Sequence, residues 1–100
     1  MSNTATTTTL TYTVRVPAMF WTDHIDRGCT PAISERKAGH SVWLVLDDAA
    51  ITDLYSDAVY YLDDEGCPDL ARLARSARRT VDNIRKQQPE WFAARQQGGK

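Results

Sequence analysis

Apolar and polar residues alternate from Leu10 to Val16. Leu10, Tyr12, Val14 and Val16 fall on one side, and Thr11, Thr13 and Arg15 on the other. This period of two, rich in β-branched residues, predicts a half-buried strand. Pro17 has no N–H to donate and closes it. Ala18 to Arg27 predicts a short helix stopped by Gly28, which would bring Met19, Phe20, Asp23, His24 and Arg27 near one another. Phe20 and Trp21 also suit an extended segment. Thr30–Arg36 and Ser41–Leu46 read as two strands around the turn Lys37-Ala38-Gly39-His40. The second, SVWLVL, is apolar on both faces. It suits a central strand covered on each side, or a strand whose Trp43 anchors a satellite cluster.

The period changes after Asp47 and Asp48, which can cap a helix. Ile51, Leu54, Tyr55, Ala58, Val59 and Leu62 recur at helical spacing, and the run Asp63, Asp64, Glu65 and Gly66 ends the series. A second helix starts near Pro68 and buries Leu70, Leu73, Ala74, Ala77, Val81 and Ile84. Pro89 stops it, since the residue before a proline avoids helical angles. The tail carries Trp91 and Phe92, either docked or displayed. Residues 1–9, MSNTATTTT, offer nothing to bury and read as a disordered leader, and residues 93–100 as a flexible tail. The predicted order is β-α-β-β-α-α over a single domain, residues 10–92. Its class is α+β, with a small antiparallel sheet of about three strands packed against a C-terminal helical hairpin.

Composition narrows the class. One hundred residues hold one core, and 42% hydrophobic with 25% charged residues is an ordinary globular balance. No apolar run approaches the ~18 residues of a membrane span. The start of the chain lacks the basic and apolar blocks of a secretory signal. Two cysteines without an export signal then point to a reducing compartment, and the cytoplasm is expected. A net charge of −1 excludes the broadly basic nucleic-acid binders but leaves room for a local basic patch.

That average hides a division. Residues 1–66 hold ten acids and four bases, a net of −6, and residues 67–100 hold three acids and eight bases, a net of +5. At about 100° per residue, Asp53, Asp57, Tyr60 and Asp64 share one stripe of the first long helix. Asp53 and Asp57 are a like-charge pair four residues apart, which costs an isolated helix roughly 0.2–0.5 kcal/mol. The stripe is either a solvated face or a recognition face for a basic partner, with Tyr60 as its aromatic anchor. The second helix carries the opposite stripe: Arg72, Arg75, Arg79 and Lys86, with Asp82 placed to pair among them. This is either a self-paired solvated face, a contact for an acidic protein, or a rod that lies along phosphates. No helix-turn-helix, zinc-finger, RNP or GXXG pattern supports the last. Opposite stripes would also allow a two-fold homodimer, the acidic helix of one copy on the basic helix of the other.

Dedicated chemistry is harder to find. His24, Cys29, His40 and Cys67 match a Cys2His2 zinc set in type, but their spacing has no CxxC and no paired histidines. Asp23 and His24 are an acid–imidazole pair held too close in sequence for triad geometry. There is no GxSxG and no phosphate-cradling glycine loop. No enzyme, no cofactor and no resident metal are expected.

The segments YTVRVPAMFWTDHIDR (12–27), LDDAAITDLYSDAVYYLDD (46–64) and SARRTVDNIRK (76–86) resemble a group of small hypothetical proteins from actinobacteria and their phages. The resemblance spans most of residues 10–88 and implies a phage or mobile-element context. It implies no activity and transfers no functional residue. The expectation is a small non-enzymatic binding or regulatory protein that engages a host protein, or itself, through Asp53, Asp57, Tyr60, Asp64, Arg72, Arg75, Arg79 and Lys86. A nucleic-acid regulator using helix 68–88 is the alternative, and a zinc- or cysteine-dependent enzyme the third reading.

Overall fold

A computed structural model describes residues 10–98; the expected leader and residues 99–100 lie outside the described residues. Strand β1, Tyr12–Pro17, runs directly into helix α1, Ala18–Asp26. Strands β2, Ser34–Ala38, and β3, Ser41–Leu46, form a hairpin. Helix α2, Asp48–Tyr61, passes through a 3-10 turn, Leu62–Gly66, toward α3, Ala71–Gln87, and α4, Pro89–Gly98. The sheet is antiparallel in the order β1-β3-β2. The α+β architecture is the one expected, with one helix more than the pattern predicted.

Local chemistry explains most boundaries. The Asp47 carboxylate accepts the Ala50 N–H at 2.8 Å, the N-cap bond that starts α2. The hairpin loop is Gly39-His40, between the paired Ala38 and Ser41. Within this loop positive φ falls on Gly39 and not His40, at 65°, as a tight hairpin with glycine in its first loop position requires. The His40 carbonyl accepts the Ala18 N–H at 2.9 Å and ties this loop to the start of α1. The second strand begins four residues later than Thr30, where it was expected. Pro31 has no N–H to offer the ladder, and the Thr30 N–H is given to Asp53 instead.

Because side chains alternate along a strand, β1 and β3 send Val14, Val16, Val42, Leu44 and Leu46 to one face. There they meet Phe20 and Trp21 of α1, Ile51 and Leu54 of α2, and Ala77 and Ile84 of α3. Thr80 is buried among them, and its hydroxyl is satisfied by donating to the Ser76 carbonyl at 2.9 Å. Val59, assigned by spacing to the apolar side of α2, is 41% exposed. β3 is central in the strand order, yet among the described residues no element covers its other face. Trp43 stands there, half-buried.

β1 is an edge strand with outward-facing backbone groups. Helix α3 and its C-cap residue Gln88 satisfy three of them with amide side chains. Gln87 Oε1 accepts the Arg15 N–H at 2.7 Å, and Asn83 Nδ2 donates to the Arg15 carbonyl at 2.8 Å. Gln88 Nε2 donates to the Thr13 carbonyl at 3.0 Å. Trp91 and Phe92 are docked rather than displayed. Trp91 meets Tyr55 edge-on at 5.5 Å and Tyr12 at 6.4 Å, while Phe92 meets Tyr55 at 5.8 Å. The chain from 93 to 98, expected to be a flexible tail, is helical, and Gln96 Nε2 donates to the Tyr55 hydroxyl at 3.1 Å. No helix among the described residues is long and apolar enough to cross a membrane.

Candidate functional site

The C-terminus of α1 and one face of α2 build the most strongly bonded polar cluster among the described residues. α1 ends in a glycine-capped turn. The Gly28 N–H donates to the Ile25 carbonyl at 2.9 Å and the Cys29 N–H to the His24 carbonyl at 3.4 Å, with Gly28 at φ 87°. This pair of hydrogen bonds closes the last helical turn, and its left-handed step is one that glycine takes without steric cost. The turn holds Arg27, Cys29 and Thr30 against α2.

From α2, Asp53, Asp57 and Tyr61 recur every four residues on the facing stripe. Each takes a partner from the α1 end. Asp53 Oδ2 accepts the Thr30 N–H at 2.8 Å. Asp57 Oδ2 lies 2.7 Å from His24 Nδ1, and the Arg27 guanidinium donates to both Asp57 oxygens at 2.6 and 2.7 Å. Arg27 also bonds Asp23 at 2.8 Å and lies over the Tyr61 ring at 4.8 Å. A bidentate guanidinium–carboxylate contact is among the stronger charge-assisted geometries. His24 is fully buried between Phe20 and Trp21, with ring centroids 6.2 and 5.4 Å away.

Titration follows from this geometry. Burial pushes the Asp57 carboxyl up, but the hydrogen bonds from Arg27 and His24 outweigh it, and the group ends below its usual range. The hydrogen bond to Asp57 raises the Arg27 guanidinium above its already high value. Burial pushes the Cys29 thiol up, and the charges of Asp53 and Asp57 push it further. Those surroundings oppose formation of a reactive thiolate.

The sequence expectations for the acidic stripe need correction. Asp57 faces inward, with its side chain 12% exposed and its charge already matched. Asp53 is also engaged within the chain. The aromatic that shares their face is Tyr61; Tyr60 points away and is 74% exposed. Asp64 belongs to the 3-10 turn and leaves the α2 stripe altogether. The like-charge cost between Asp53 and Asp57 is offset by donors from α1.

The metal candidates do not assemble as a set of four. Among the described residues, His24, Cys29 and Asp57 bring ligand atoms within 4.8 Å of one another. His40 sits at the hairpin tip and Cys67 after the 3-10 turn, outside that group. Within that group both Asp57 oxygens already accept from Arg27. Both cysteines are free, Cys29 half-buried and Cys67 exposed.

The basic stripe stands where spacing put it. Arg72, Arg75, Arg79 and Lys86 are exposed along α3. Among the described residues, none of the four forms an ion pair with a carboxylate; Asp82 pairs with Arg85 instead, at 3.2 Å. Arg72, Arg75 and Arg79 rim a shallow groove of about 260 Å³ between α1 and α3, floored by Met19 and Ser76. Arg72 Nη2 and Ser76 Oγ lie 3.8 and 3.9 Å from the Met19 sulfur, and Met19 is 39% exposed. A larger open cleft of about 880 Å³ lies between α4, α2 and β1. Its Tyr55 and Trp91 rings already carry the Arg95 guanidinium, 5.8 and 5.5 Å from their centroids.

Arg27 and Tyr61 are the site residues that sequence reasoning missed. The Asp23–Arg27 spacing of four was a visible signal; nothing local pointed from α1 to Asp57. Comparison with protein-family models, with curated proteins and with solved structures finds no match to this chain.

Proposed function

We propose that this chain is a small non-enzymatic binding protein whose working surface is the α1–α3 groove, and that the groove takes an acidic segment of a partner protein. The observation that carries this reading is the row Arg72, Arg75 and Arg79, which no carboxylate among the described residues neutralises and which rims an exposed methionine. Methionine and arginine are enriched at protein interfaces. A partly exposed methionine beneath guanidiniums suits an amphipathic acidic segment better than a bare phosphate backbone. In the phage or mobile-element setting implied by the resemblance, the partner is a host protein. The acidic residues of α2 contribute by holding the scaffold: Asp53 and Asp57 anchor the α1 end. A homodimer through complementary helices draws less support, because the acidic half of that contact is engaged internally.

The test uses a photo-crosslinking methionine analogue at position 19, irradiated in actinobacterial extract with and without nuclease. The expected result is a discrete protein adduct that survives nuclease and disappears in Arg72→Glu/Arg75→Glu. An adduct destroyed by nuclease would favour nucleic acid at this groove instead. Absence of any adduct would remove the reading.

A further inference from the structure

We infer that the sheet face that none of the described elements covers is a stacking platform for single-stranded nucleic acid, with Trp43 as the base-binding ring and Arg15 and Arg36 as its phosphate contacts. This surface is separate from the α1–α3 groove and does not depend on it.

The register fixes the arrangement. Trp43 of β3 pairs directly with Arg15 of β1 and with Arg36 of β2. All three side chains therefore rise on the same face, with the ring in the middle and a guanidinium on each side. The Arg15 guanidinium lies over the Trp43 ring, with Cζ 6.0 Å from its centroid, so an incoming base displaces it from the ring toward its own phosphate. The next row is Thr13, Val45 and Ser34, and the row beyond the other side is Pro17, Ser41 and Ala38. Across these nine positions there are two positive charges and no carboxylate. Glu35, the acid of β2, pairs with Leu44 and points to the opposite face. Among the described residues, neither Arg15 nor Arg36 forms an ion pair. Two cations flanking an aromatic ring are thus left for an anion from outside.

The chemistry selects the occupant. A base offers a planar partner for Trp43, and its own backbone offers the anion. Neighbouring strands lie about 4.8 Å apart, so a phosphate beside a stacked base falls within reach of either long guanidinium stem. An acidic peptide would satisfy the arginines and leave the ring without a planar partner. Bases inside a duplex are stacked on each other and cannot reach the ring, whereas unpaired bases can. Stacking of this kind tolerates any base, so sequence preference is expected to be weak.

The experiment measures fluorescence anisotropy of a labelled oligo-dT single strand with the full chain at low and moderate salt. Binding is expected, with log affinity falling against log salt by about 0.7 per phosphate contact. Trp43→Ala should weaken it by about 5- to 100-fold, and Trp43→Phe should keep most of it. Arg15→Ala/Arg36→Ala should flatten the salt dependence by about two contacts. Arg72→Glu/Arg75→Glu should leave it unchanged, so that failure of the groove reading and failure of this one are told apart. If thermal melting shows that Trp43→Ala unfolds, Trp43→Leu keeps the apolar bulk, removes the plane, and must show the same loss. The inference is overturned by no binding at low salt, by wild-type affinity in the folded Trp43 variant, or by equal affinity for duplex. A dimer abolished at Trp43 without oligonucleotide binding would also overturn it, in favour of a second copy of the chain.

Discussion

Asp57 accepts from His24 Nδ1 and from two nitrogens of Arg27 while sitting largely out of solvent. Removing it strands a buried imidazole and a guanidinium aimed at an empty place. Asp57→Ala is therefore expected to destabilise the fold by about 2–4 kcal/mol. In a chain this short that is a fall of at least about 8 °C in melting temperature, read by circular dichroism at pH 7. The acid response has a definite sign. The folded pKa of Asp57 lies below its ordinary value. Its contribution is therefore complete above the unfolded value near 4, and is lost as pH falls through the lower folded value. Asp57→Asn should start less stable at pH 7 and lose less between pH 5 and pH 2 than the parent; an unchanged acid limb would contradict this. Half of the cluster was legible in the sequence. Asp23 and Arg27 are one helical turn apart, and that spacing is a local rule. No spacing rule connects His24 with Asp57, or chooses Tyr61 over Tyr60, because both depend on which side of α2 the end of α1 comes to rest.

Helices α2 and α3 were readable because each repeats an apolar stripe, and β1 because it alternates. Helix α4 was not. Trp91 and Phe92 are adjacent, no stripe recurs after them, and the helix is held by aromatic contacts with Tyr12 and Tyr55 that have no period. The start of β2 was misplaced for a related reason: the Thr30 N–H had a destination outside the sheet. Nor did any pattern announce that α3 would finish the outer side of β1 with Asn83, Gln87 and Gln88, since amides at helix surfaces are usually solvated. That contact is testable by itself. The Arg15 N–H has Gln87 Oε1 as its acceptor at 2.7 Å. In Gln87→Ala, hydrogen exchange at the Arg15 amide should accelerate by about fivefold, as expected for the loss of a hydrogen bond worth roughly 1 kcal/mol. Exchange at Val14, bonded toward β3, should change much less. Uniform acceleration along β1 would mean that Gln87 supports the whole helix rather than one backbone group.

Across the whole molecule, the division of charge read from the sequence is real in number and unequal in use. Two of the acids on α2 turn inward to donors from α1, while the cations of α3 and the outer sheet face stay outward. The exposed polarity is consequently more basic than a net charge of −1 suggests. Fold class was legible from periodicity alone, but this imbalance was not, because burial of a charge depends on tertiary neighbours. The sheet's two flanks show another asymmetry. Among the described residues, the far side of β2 has no strand neighbour, and β2 carries Glu35, Arg36 and Lys37 in succession, all exposed, the kind of charged edge that resists pairing with another chain. Glu35→Val/Lys37→Val is expected to associate with rising concentration and, by light scattering, to stop at a dimer. Endless ribbons need two receptive borders, one to offer and one to accept. Here one border is hemmed by amides from a helix and the other is studded with ions, so erasing the ions alone lets two copies meet back to back and ends the growth there. A fibre would require stripping the hem as well, and this chain thus carries two independent safeguards against polymerisation where its small sheet would otherwise have none.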